Sequence, residues 1–126
     1  MNRSSILGLL VFAALTVAYS QGPPPADGPQ LVEVVGCLSQ AGSNWILANA
    51  TDPAPATTTF TTPEAIKAAG EKPLGTQQYR LLGTSSFSPE GHKGHKMVVR
   101  GLLIRSGSET RINLTSFQMV AETCPK

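Results

Sequence analysis

The sequence predicts an all-β fold: a small closed barrel of five strands, with one short helix between the second and third. Three observations predict it. Five apolar segments enriched in β-branched residues are separated by breaks carrying Gly, Ser and Pro. Glycines interrupt the first and fourth segments, at Gly36 and Gly101, where a barrel strand has to bend sharply. Two cysteines, Cys37 and Cys124, stand near the two ends of the domain and behind an export-type leader, a placement suited to stapling a small core.

Residues 1–20 read as a secretory signal peptide. Arg3 supplies the positive start, Ile6 to Val17 the apolar stretch, and Ala18 and Ser20 the small residues before a cleavage bond. The apolar run falls short of the ~20 residues a spanning helix needs, and no later segment reaches that length, so no membrane span is expected after leader removal. Residues 21–30 form a Pro/Gly-rich tether around Pro23, Pro24 and Pro25. Val34-Val35-Gly36-Cys37 looks like a lipoprotein cleavage box, but the tether and Glu33 precede it in place of an apolar run, so lipidation at Cys37 is not expected. The domain itself is expected over residues 31–126.

The first strand is read over Leu31–Ser39 and the second over Asn44–Ala50, around Trp45, Ile46 and Leu47. Gln40-Ala41-Gly42-Ser43 joins them at hairpin length. The third covers Gln77–Gly83 and the fourth Lys96–Arg105. Alternation in the fourth puts Met97, Val99, Gly101 and Leu103 on one face and Lys96, Val98, Arg100 and Leu102 on the other. Ser106-Gly107-Ser108-Glu109 turns into the fifth strand, Thr110–Ala121. There Ile112 and Leu114 share a face while Phe117 and Met119 continue out of phase, which predicts a bulge near Thr115-Ser116.

An insertion, residues 51–76, separates the second and third strands. In it Thr62 is read as an N-cap, Pro63 as the first helical residue and Gly70 as the stop of a two-turn helix. Loops of this length are often functional; the plainer expectation is a surface excursion packed by Ile66 and Leu74. Between the third and fourth strands, Ser88 is expected to cap a short helical turn opened by Pro89.

Val35-Gly36-Cys37-Leu38, Trp45-Ile46-Leu47, Tyr79-Arg80-Leu81-Leu82-Gly83, Gly94-His95-Lys96-Met97-Val98-Val99-Arg100-Gly101 and a last strand ending at Cys124 together resemble small exported bacterial OB-fold proteins of unknown function. The resemblance covers residues 31–124 without the insertion. It implies a five-stranded OB-like Greek-key barrel in an exported protein, and it brings no catalytic residues.

In an oxidising compartment Cys37 and Cys124 are expected to pair as a structural staple; a redox pair normally has the close Cys-x-x-Cys spacing that these two lack. Ten basic residues against eight acidic give a net charge of +2, which falls to +1 when Arg3 leaves with the leader. That balance lacks the concentrated basic footprint of a nucleic-acid binder, and nucleic acid is not expected as a partner. No cofactor is expected.

Two constellations remain. His92 and His95 lie three apart and suit a metal ion, with Met97 drawing the set toward a soft ion such as Cu(I). The low ligand count and the neighbouring Lys93 and Lys96 favour instead a turn whose histidines bond locally. Lys93, Lys96, Arg100, Arg105 and Arg111 would form one basic stripe along the last two strands, open to an anionic ligand or an envelope partner. Nucleophile elbows, His-x-Glu zinc signatures and paired carboxylates are not found in the sequence. The expected function is a non-enzymatic, periplasmic or secreted OB-like binding module of unidentified ligand; a weak metal-binding envelope protein using the His92–His95 turn is the alternative.

Overall fold

The computed structural model describes residues 28–125. The expected leader, residues 1–20, and residues 21–27 of the tether lie outside the described residues. Gln30, expected in the tether, is already strand and pairs with Leu103.

The chain forms β1 (Gln30–Ala41), β2 (Asn44–Ala50), a two-residue β3 (Ala54–Pro55), α1 (Pro63–Glu71), β4 (Gln77–Leu82), β5 (Lys96–Ser106) and β6 (Glu109–Ala121). Two 3₁₀ turns, Thr84–Phe87 and Pro89–His92, fill the connection from β4 to β5. The long strands are the five expected, and β3 comes from the insertion.

β1 pairs antiparallel with β5 over Gln30–Cys37 and with β2 over Cys37–Ala41. β2 passes to β4, β4 runs parallel to β6, and β6 returns to β5. The pairings therefore close into a ring, β1-β2-β4-β6-β5 and back to β1. Closure depends on β1 exchanging partners beside Gly36. A Cβ there would stand 2.8 Å from Leu47 Cγ and 2.9 Å from Ala50 Cβ, so only glycine lets the two strands approach.

Gly101 plays the same part between β5 and β6, where a Cβ would run into the Asn113 carbonyl oxygen and lie 2.6 Å from Ile112 Cγ2. At that point the register slips: Arg100 faces Ser116, Gly101 faces Leu114, and Thr115 is the extra residue. The bulge expected near Thr115-Ser116 is thus present, and it returns Phe117 to the core that holds Ile112 and Leu114. A second slip, between the Lys96–Ala121 and Met97–Met119 pairs, was not legible in the alternation; Met119 ends 38% exposed.

The ring interior is packed with Val34, Leu38, Leu47, Tyr79, Leu81, Met97, Val99 and Ile112, among others. Side chains of this size contribute about 1.5–3 kcal/mol each on full burial. Val35 and Val98 belong to a separate apolar cluster with Ala69, Ile66 and Val120, and they are fully buried because α1 covers them. The opposite face of β5 is therefore not a solvent face at its start: Lys96 and Val98 are buried along with Met97 and Val99.

The insertion follows β1 before it leaves the sheet. Thr51 N donates to Val35 O at 2.9 Å, and Thr51 Oγ1 accepts from Val35 N at 3.0 Å. Ala54 and Pro55 pair with Glu33 and Val32, and Ala56 N donates to Leu31 O at 3.0 Å. The segment thereby covers an edge of β1 that β2 alone would leave bare. In α1 the N-cap is Thr62, accepting from Ala65 N at 3.1 Å, with Pro63 following it as expected. Gly70 is not the stop. The helix runs on to Glu71, and its last carbonyls are taken by Lys96, whose Nζ donates to Gly70 O at 3.2 Å and Lys72 O at 2.7 Å. A cation at a helix C-terminus also meets the dipole favourably. Ile66 packs as expected, while Leu74 joins neither apolar cluster. Ser88 makes no side-chain cap; it takes a left-handed conformation at φ 48° ahead of Pro89.

Cys37 and Cys124 are disulfide-bonded, with Cα atoms 5.8 Å apart across 87 residues of chain. The bond ties β1, at the residue where it changes partners, to the segment beyond β6.

Candidate functional site

The cations expected to form one stripe along β5 and β6 are divided among three environments. Arg100 is internal. Its Nε and Nη2 donate to Glu33 Oε2 at 2.8 and 2.7 Å, and its Nη1 donates to Thr58 O at 3.1 Å and Phe60 O at 2.8 Å. Lys96 is buried under the end of α1. Thr115 Oγ1 donates to Thr59 O at 2.7 Å, and the Thr61 and Ser116 hydroxyls bond at 2.7 Å. Arg100 and Lys96 thus fasten the start and the end of the helical insertion, and their donors are occupied inside the fold. Lys93, in contrast, is exposed in the turn before β5. Arg105 is exposed near the end of β5, and the continuous stripe of Lys93, Lys96, Arg100, Arg105 and Arg111 is therefore not assembled as one surface.

Arg111 belongs to a different group. The parallel β4–β6 pairing makes Arg80 and Arg111 direct neighbours, two like charges side by side. Glu109, two residues before Arg111 on β6, sits between them. Arg111 donates to Glu109 Oε2 from Nε at 3.0 Å and from Nη2 at 2.8 Å, and Arg80 Nη1 lies 3.6 Å from Glu109 Oε1. Hydrogen bonding from Arg111, with the charges of both arginines, holds the Glu109 carboxyl below its ordinary value. Two guanidiniums around one carboxylate leave one positive charge uncompensated within the triad. Two members of the triad, Arg80 and Glu109, line a groove of about 360 Å3 where β2, β4 and the β5–β6 turn meet, together with Ile46, Gln78, Ser108 and Thr110; Arg111 stands behind Glu109. Sequence reading missed Arg80 and the groove. Arg80 and Arg111 are 31 positions apart in sequence numbering, and only a parallel pairing joins them.

The two histidines meet at the far end of β5. Their Nδ1 atoms are 3.3 Å apart, with the rings edge-to-face. The His92 ring also packs edge-on against Phe117, centroids 5.6 Å apart. Met97 is not with them; it is fully buried in the ring interior. Among the described residues no group of three or more His, Cys, Asp or Glu is placed to hold a metal ion. Tyr79 directs its hydroxyl inward to Thr51 O at 3.0 Å, and burial raises its pKa above the usual phenol value. No known family, no curated protein and no solved structure matches the chain.

Proposed function

We propose that the protein is an exported, non-enzymatic binding module built as an OB-like Greek-key barrel, and that the groove over β2 and β4 receives an anionic ligand. The ring order β1-β2-β4-β6-β5 supports the OB-like reading. Barrels of that type bind oligosaccharides and oligonucleotides on the face of the second and third long strands, between the first hairpin loop and the turn joining the last two strands. The groove lies on that face, beside the turn that follows β5. Export is supported by the leader pattern of residues 1–20 and by the Cys37–Cys124 bond, which persists in oxidising compartments. Among the described residues no helix is long and apolar enough to cross a membrane.

The observation that carries the ligand class is the Arg80–Glu109–Arg111 triad, whose Arg80 and Glu109 line an open groove. A planar guanidinium binds carboxylate or sulfate in a two-pronged way, and Gln78, Ser108 and Thr110 add neutral hydrogen-bonding groups suited to sugar hydroxyls. A carboxylated or sulfated oligosaccharide meets both. Calorimetry with such oligosaccharides against neutral ones of equal length tests this. Anionic chains are expected to bind, and Arg80→Gln or Arg111→Gln to weaken them about tenfold, ~1.4 kcal/mol. Equal binding of neutral chains, or unchanged binding in both variants, defeats the proposal.

A further inference from the structure

We propose that His92 and His95 chelate one divalent transition-metal ion of the Cu(II)/Zn(II) class through their two Nδ1 atoms. The site lies at the opposite end of β5 from the groove and is independent of it.

The distance between the nitrogens is the first argument. Two imidazole nitrogens bound at about 2.0–2.1 Å to a tetrahedral ion stand roughly 3.3–3.4 Å from each other. The two Nδ1 atoms are 3.3 Å apart. Without metal, that separation is bridged by one hydrogen bond between the rings.

The second argument is that the pair is held in place. His95 N donates to His92 O at 3.0 Å, and His95 O accepts from Leu38 N at 3.0 Å. Gly94 N donates to Leu38 O at 2.8 Å, so the second half of the turn is bonded twice to Leu38 of β1. Phe117 backs the His92 ring. Much of the ordering that chelation requires is therefore complete before the ion arrives.

The third argument concerns charge and ligand type. Lys96, one residue from His95, has its ammonium bound to the Gly70 and Lys72 carbonyls under α1. Met97 is buried and both cysteines are in the disulfide, so neither residue type expected from the sequence supplies a soft donor there. An all-imidazole pair suits Cu(II) and Zn(II); the 3.3 Å separation matches the tetrahedral shell of Zn(II), while Cu(II), the tighter binder by the ordinary affinity order, draws the two nitrogens closer in its square-planar one. Water completes the coordination shell, since the described residues supply two ligands. The protons balance: each neutral ring keeps one, and the proton between the Nδ1 atoms moves to Nε2 of its own ring through solvent, which reaches both half-buried histidines.

The test is calorimetric titration of the mature, oxidised protein with CuCl2 and ZnCl2 at neutral pH, with ring-nitrogen NMR on the same material. One ion per chain is expected, with both rings in the Nε2–H tautomer in zinc. His92→Ala and His95→Ala are each expected to weaken binding at least tenfold, with His95→Gln as the variant that keeps side-chain bulk. No binding at sub-millimolar metal overturns the proposal. So does binding that persists unchanged in both alanine variants, or zinc-induced shifts that leave these two rings untouched.

Discussion

Glu33 and Arg100 face one another across the β1–β5 pair, and the Arg100 guanidinium donates twice to a single oxygen of Glu33, at 2.7 and 2.8 Å. Both side chains are only 12% exposed. The same guanidinium reaches the Thr58 and Phe60 carbonyls, so one side chain links two strands to the insertion. Arg100→Met is expected to cost about 3 kcal/mol, because it leaves a shielded carboxylate without its partner and strips two carbonyls of a donor. Adding Glu33→Leu is expected to recover part of that loss. Urea unfolding measures both; a cost under ~1 kcal/mol for Arg100→Met would place the pair among ordinary surface ion pairs.

The disulfide closes a loop of 87 residues, almost the whole described chain. In the chain-entropy account its removal raises the entropy of the unfolded ensemble and costs about 4–5 kcal/mol. Against a small-domain stability of roughly 5–15 kcal/mol, the Cys37→Ser/Cys124→Ser double variant is expected to be marginal or unfolded at 37 °C. Matched denaturation of oxidised and reduced protein checks this, and near-identical midpoints would refute it.

Gly101→Ala sets a Cβ against the Asn113 carbonyl oxygen and 2.6 Å from Ile112 Cγ2. Both are held by the β5–β6 ladder, so the clash has to be relieved by backbone movement. A loss of about 2–3 kcal/mol is expected, at the upper end of the overpacking range. Gly42→Ala, at a turn with open space, loses stability through its φ of +62° alone and serves as the comparison. Equal losses at the two positions would contradict the close approach.

Glu109 titrates below its ordinary value of 4.5 because Arg111 hydrogen-bonds its carboxylate. A carboxyl depressed in the folded state contributes its stability fully above its unfolded pKa, and loses it as pH falls through the folded one. In Arg111→Gln the Glu109 carboxyl is expected to titrate closer to 4.5, followed by its carbon NMR shift. Added salt is expected to narrow the difference, since the group is exposed to solvent. Coincident titration curves in wild type and variant would remove Arg111 as the cause.

Much of the fold was legible because its signals are local. β2 begins and ends where Asn44 and Ala50 were read, and the slip from Leu114 to Phe117 marks a bulge that the β5–β6 pairing contains. Thr62-Pro63 announced the start of α1. The stop expected at Gly70 falls one residue short of Glu71, and the Lys96 ammonium that binds the Gly70 carbonyl comes from a strand 26 positions later, which no local signal announces. The basic stripe failed for a related reason. Alternation assigned Lys96 and Arg100 to the outer face of β5, but it carries no information about what lies over that face.

Local chemistry in the chain determined where strands, turns and the helix begin, which residues face inward, and that two distant cysteines are available to meet. These depend on side-chain period, backbone freedom and covalent type, all written within a few residues. The tertiary structure alone decided which cations remain available. Lys96 and Arg100 are consumed under the insertion, whereas Arg80 and Arg111 are brought side by side with Glu109 by a parallel pairing. Electrostatic neighbours act over a few ångströms of space, and separation along the chain does not report that distance until the ring has closed.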